Sequence, residues 1–151
     1  MRVETEGYRV PEVCRLVGIS YRQLDYWART GLVRPSIRDA GGSGTQRLYS
    51  FQDLVLLRTI KSLLDTGVSL QSIRKSIEYL RRTMGEEPTG VTLMSDGRRV
   101  YACTSEDEII DLVKSGQGVF AIALDKVRDQ LAMSVGGRRR AGRSAARAGG
   151  A

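Results

Sequence analysis

The chain has 151 residues, enough for one ordinary domain or for two small ones that lean on each other. Hydrophobic residues make up 41% and charged residues 27%, the balance of a soluble globular protein, and no apolar run approaches the length of a membrane span. Histidine is absent, which removes the commonest general base and the commonest metal ligand. The two cysteines, Cys14 and Cys103, lie far apart in a chain that opens on the polar run MRVETEGY. The expectation is a cytoplasmic, nucleoid-associated protein with reduced thiols.

The net charge of +7 is unevenly distributed. Residues 1–83 hold 14 Lys/Arg and 8 Asp/Glu, residues 84–135 hold 5 and 9, and residues 136–151 hold 5 Arg and no acid. The basic excess sits in the first half and at the end, and a phosphate-binding surface needs such a local excess.

In residues 10–17, Val10, Val13, Cys14 and Val17 share one face at helical spacing. Pro11 suits the first helical turn, where its missing N–H has no partner in any case. Gly18 stops this helix, and Ser20 opens the next, with Gln23 at the reciprocal capping-box position. Leu24 and Trp27 point inward along that second helix, Gly31 ends it, and Leu32 and Val33 anchor the chain beneath it. From Ser36 to Tyr49 the pattern becomes two short strands, 36–38 and 47–49, around the flexible loop Ala40-Gly41-Gly42-Ser43-Gly44. Ser50 and Asp53 form a second capping box, opening a helix of about fifteen residues on which Leu54, Leu57, Ile60 or Lys61, and Leu64 recur. Gly67 breaks it. Ser69 caps a fourth helix whose Leu70, Ile73, Ile77 and Leu80 form a short coiled-coil-like seam, and Gly85-Glu86-Glu87-Pro88 ends it.

A second unit follows. Residues 91–94 and 99–103 read as strands around the turn pair Asp96-Gly97. Ser105 and Glu108 cap a short helix carrying Ile109, Ile110, Leu112 and Val113. Residues 119–124 read as a buried strand, and an amphipathic helix covers Asp125 to Met133. The expected fold class is α+β. It comprises an N-terminal winged helix-turn-helix of four helices and a two-stranded wing (1–84), a linker (85–90) and a small ββαβα domain for dimerisation, effector or partner binding (91–135). A disordered Arg-rich tail (136–151) follows.

Two helices on a Gly-Ile-Ser turn followed by a glycine-rich, Arg-flanked hairpin write a helix-turn-helix with a wing, a unit that lays one helix in the major groove of DNA. Ser20, Tyr21, Arg22 and Gln23 occupy the first turn of that helix. Arg22 has the donors for guanine O6 and N7, and Gln23 has the pair that reads adenine. Tyr26 and Arg29 are placed for phosphates, and the wing adds Arg38 and Arg47. Arg9 completes the expected DNA-contacting set. Two bland readings stand beside this one: Arg22 and Arg29 as ordinary solvated charges, and Arg47 paired with an acid of the fold such as Asp53. The glycines at 41, 42 and 44 lack the following Lys-Ser/Thr of a nucleotide loop.

Tyr8-Arg9-Val10, Gly18-Ile19-Ser20, Leu24, Tyr26-Trp27, Thr30-Gly31-Leu32-Val33-Arg34-Pro35 and Arg47-Leu48-Tyr49 with Asp53-Leu54 together resemble the MerR family of bacterial winged-helix regulators, over roughly residues 8–83. The resemblance is nearest to actinobacterial members with a short C-terminal domain. It implies a homodimer that binds a pseudo-palindromic operator through the second helix and the wing. Two residue patterns depart from the family. Where the family commonly has Arg between the helix-two Leu and the aromatic pair, this chain has Asp25, which either accepts from cytosine N4 or orients Arg22 or Arg29. The fourth helix also ends early, which leaves open dimerisation through 91–135 or separate monomers on repeated half-sites.

No nucleophile with a base, cofactor fingerprint or metal cluster is visible, so an enzyme is not expected and no cofactor or metal is assigned. Cys14 reads as a packing residue, Cys103 as a strand residue with a redox role as the alternative, and Glu106, Asp107, Glu108 and Asp111 as acids favouring a helix start. The expected function is a sequence-specific DNA-binding transcriptional regulator. The expected partners are double-stranded DNA, a second copy of the chain, and RNA polymerase or another protein, with no membrane. The alternatives are an excisionase-like architectural protein and an adaptor acting through 91–135.

Overall fold

The computed structural model describes residues 7–39, 46–85, 90–109 and 120–136. Strand β1 (Tyr8–Arg9) runs directly into helix α1 (Val10–Val17), and helix α2 (Tyr21–Arg29) follows after a three-residue turn. Strand β2 (Leu48–Tyr49) precedes helices α3 (Phe51–Asp65) and α4 (Leu70–Met84). Then come β3 (Thr92–Ser95), β4 (Val100–Cys103), a helical turn at 106–109, β5 (Phe120–Ala123) and helix α5 (124–136).

Local sequence explains most of these boundaries. Gly18 closes α1 at φ +83°, a left-handed conformation that a Cβ disfavours, and its N–H bonds the Cys14 carbonyl at 2.9 Å. Two of the three expected capping boxes are complete; in the third, Ser105 Oγ accepts from Glu108 N at 3.3 Å, but Glu108 Oε2 accepts from Thr104 N in place of Ser105 N. Ser20 Oγ accepts from Gln23 N at 3.1 Å while Gln23 Oε1 accepts from Ser20 N at 3.1 Å. Ser50 and Asp53 exchange the same pair of bonds at 3.1 and 2.9 Å. Ser69 Oγ caps α4 by accepting from Ser72 N. In the Asp96-Gly97 turn the Asp96 carboxylate accepts from Arg98 N at 2.8 Å and Arg99 N at 2.6 Å, which holds its pKa below the usual range.

The hairpin region differs from the two-stranded pattern expected at 36–49. Leu48 is bridged on one side to Arg38, with Leu48 N donating to Arg38 O at 2.8 Å, and paired on the other to Arg9 of β1. The extra partner follows from burial. The register sets Tyr8 opposite Tyr49, and both rings are sealed in the core, so β1 is drawn to β2 by the apolar faces they share.

Leu54, Leu57 and Ile60 of α3 are buried as expected, and the residue that completes the stripe is Leu63, with Leu64 half-buried. On α4, Ile73, Ile77 and Leu80 are buried and Leu70 is half-buried. Cys14 is half-buried and packs against the core cluster. The second sheet is antiparallel throughout, in the order β4-β3-β5, with Leu93 between Ala102 and Ile122. Val91, Leu93, Ile122, Leu124, Val127, Leu131 and Val135 join Ile73, Ile77 and Leu80 in one apolar cluster that continues through α3 to Trp27 and Val13. The loop at 40–45, linker residues 86–89, residues 110–119 of the expected short helix and the strand start, and the tail from 137 lie outside the described residues. No helix among those described is long and apolar enough to cross a membrane.

Candidate nucleic-acid interface

Helix α2 is amphipathic in a way that fixes its orientation. Leu24, Trp27 and Ala28 are buried, which turns the first-turn residues and Tyr26 outward. Tyr21 is 63% exposed and Tyr26 45%, unusual for aromatic side chains that have a core within reach. Arg22 is exposed beside them. Gln23 uses one lone pair of Oε1 on the Ser20 N–H, so its amide is held along the helix start.

Two arginines distant in sequence hold the helix pair from behind. Arg58 of α3 donates from Nη1 to the Val17 carbonyl at 2.9 Å, at the end of α1. Arg74 of α4 donates from Nη1 to the Thr30 carbonyl at 3.2 Å and from Nη2 to the Thr30 hydroxyl, at the end of α2. Each places a cation on carbonyls that a helix C-terminus leaves without intrahelical partners. Neither residue was marked by the sequence pattern, because their partners lie 41 and 44 positions away.

The hairpin is pinned to the same scaffold. Asp53 Oδ2 accepts from Ser36 N and Ser36 Oγ at 2.8 Å each, in addition to its capping bond. Arg38 donates from Nε to the Gln46 carbonyl at 2.9 Å. Arg47 does not pair with Asp53. Its Nη1 donates to Asp25 Oδ1 at 2.7 Å and its Nε faces Asp39 Oδ1 at 3.4 Å, leaving the side chain 14% exposed. The other carboxylate oxygen of Asp25 accepts from Arg29 Nε at 2.8 Å. The Arg47 hydrogen bond first, and the Arg29 bond second, hold the Asp25 carboxyl below the usual aspartate range. Of the two uses open to Asp25, orienting Arg29 is therefore realised, with Arg47 in place of Arg22 as its second cation.

A groove of about 1050 Å³ opens between the start of α1, the face of α2 and β2. Arg9, Glu12, Arg15, Tyr21, Asp25 and Arg47 are among its walls. It brings together three of the expected DNA-contacting residues, Arg9, Tyr21 and Arg47. It adds Arg15, which the sequence reading passed over although it lies opposite the buried Val13 and Val17 on α1. Both thiols have pKa values raised by burial, that of Cys103 also by Glu108, so neither is a favoured thiolate.

Residues 8–80 match the model of the MerR HTH family regulatory protein. A Mycobacterium tuberculosis protein named an uncharacterized HTH-type transcriptional regulator is 54% identical over 128 residues, covering 85% of this chain and 57% of that one. The chain thus spans a little over half the length of the curated relatives it matches. Nodulation protein NolA of Bradyrhizobium elkanii is 32% identical over 71 residues, 47% of this chain and 31% of that one. A Bacillus cereus transcriptional regulator of the MerR family, known from a crystal structure, aligns with 87% of this chain and 98% of its own at 18% identity. The TM-score of that alignment is 0.39. Helix pair, capping box, bridged hairpin and matched span coincide, and residues 8–80 are a helix-turn-helix domain of the MerR family.

Proposed function

We propose that this chain is a sequence-specific DNA-binding transcriptional regulator, with the start of α2 in the major groove and the hairpin at 36–49 against the backbone. The observation that carries this reading is the outward row Tyr21, Arg22, Gln23 and Tyr26 on a helix whose other face is sealed, beside a groove walled by Arg9, Arg15 and Arg47. A capped helix N-terminus favours phosphate, guanidinium groups read guanine or hold the backbone, and a hairpin adds a second anchoring point. The regulator names carried by the mycobacterial relatives support the same role. The proposal includes a homodimer that sets two such helices on an operator with two half-sites.

Fluorescence anisotropy tests the reading. The full chain should bind a duplex selected from a random pool at least about a thousandfold more tightly than unselected duplex at the same salt. Bending of many sequences with little preference would favour the excisionase-like architectural alternative. Sedimentation of the chain with and without the selected duplex tests the dimer.

A further inference from the structure

Asp25 sits where the DNA-facing surface should be most basic, and it joins two elements. One oxygen of its carboxylate takes Arg47 Nη1 at 2.7 Å and the other takes Arg29 Nε at 2.8 Å. Arg47 meets a second acid through Asp39 at 3.4 Å. These four side chains carry two positive and two negative charges, so the network is neutral where a phosphate would otherwise meet two cations. We infer that Asp25 is a charge clamp: it binds the enclosed hairpin Arg47 and the exposed α2 Arg29 to one carboxylate and so restrains binding to arbitrary duplex. The inference rests on the DNA-binding reading above.

The physical reason is an asymmetry between phosphate and base. A phosphate brings only negative charge and must displace a carboxylate to reach Arg47, whose side chain is largely enclosed. A base edge with an amino donor, such as cytosine N4, can bond the carboxylate without breaking the pairs. Asp25 therefore weakens contacts that every sequence offers and leaves those that only some sequences offer. It acts through Arg29 and Arg47 as a positioning residue.

Salt dependence reads the clamp directly, because each phosphate neutralised adds nearly one unit to the slope of log K against log salt. The full chain is titrated onto a labelled random-sequence duplex between about 50 and 200 mM salt. Asp25→Asn should bind more tightly than wild type and steepen the slope by roughly one to two units. Arg47→Ala should cost more slope in the Asp25→Asn background than in wild type, which separates release of this arginine from the general loss of one acid. An unchanged or shallower slope in Asp25→Asn, or an equal cost of Arg47→Ala in both backgrounds, overturns the clamp and leaves the DNA-binding reading intact. Absence of binding by wild type to any duplex overturns both. Should Asp25→Asn melt before the assay temperature, Asp39→Asn tests Arg47 from its other side. It should steepen the slope by up to about one unit, and no change there overturns the clamp.

Discussion

The guanidinium of Arg74, on α4, closes the end of α2 by donating to both the carbonyl and the hydroxyl of Thr30. Helix α2 thus has a serine cap at its start and an arginine cap at its end, and the second cap comes from the helix that leads into the β3–β5 sheet. Arg74→Ala should lower stability by roughly 0.3–1 kcal/mol, as expected for a cation on a helix C-terminus. It should also weaken binding to a selected duplex more than to a random one, since a tilted α2 loses base contacts before phosphate contacts. Denaturant melts and anisotropy on the same preparations measure the two effects.

Arg22→Ala should cost about 1–3 kcal/mol on the best site and relax preference at one base position. Equal losses on selected and random duplex would assign Arg22 to the backbone instead of to a base.

The Tyr49 hydroxyl is buried and has no hydrogen-bond partner among the described residues, and burial pushes its pKa up. An unpartnered hydroxyl in the core costs about 1–3 kcal/mol of desolvation. Tyr49→Phe keeps the ring that packs under the hairpin and removes that cost, so the denaturation midpoint should rise. A fall would mean that the hydroxyl is bonded in solution.

Asp25 gives a pH signature. Its folded pKa lies below its unfolded value, so between the two the unfolded chain binds more protons and stability rises with pH. The contribution is complete above the ordinary aspartate value of about 3.9 and is lost as pH falls through the depressed native value. The melting temperature of Asp25→Asn should therefore approach that of wild type as pH is lowered from about 6 to about 3. A constant difference across that range would mean that the carboxylate charge contributes nothing.

Leu80 is buried between the α5 side of α4, where Ile77 and Leu124 lie, and the sheet side, where Leu93 and Val100 lie. Leu80→Ala should cost about 2–5 kcal/mol. Because the buried cluster is continuous from α1 to α5, the loss should appear as one earlier transition by both tryptophan fluorescence and circular dichroism. Two separated transitions would show that the halves unfold independently.

Features within four residues of each other were the legible ones. Ser20 with Gln23, Ser50 with Asp53, and the glycines at 18 and 31 all act on their own turn of chain, so residue type and spacing suffice. Helical spacing points to Leu64 and leaves Ile60 or Lys61 open, because steps of three and four both stay on one face; the neighbouring elements bury Ile60 and, in place of Leu64, Leu63. The two residues of strand β1 carry no periodicity, and what defines them is Tyr49, forty-one positions on from Tyr8, so spacing alone does not reveal the strand. Within the site, exposure of Tyr21 and Arg22 follows from the buried Leu24 and Trp27. The engagement of Arg47 by Asp25 depends on where the hairpin returns, which no local pattern encodes.

The shared packing around Leu80 has a mechanical consequence. Helix α4 is a strut fixed at one end by the sheet and at the other, through Arg74, to the last turn of α2. A load on the distal strands, such as a body seated against β4, has in α4 one path to α2, alongside the packing that the sheet and α5 share with α3. The tilt of α2 is therefore coupled to the posture of the sheet, and under the proposed function its pitch on a duplex would follow.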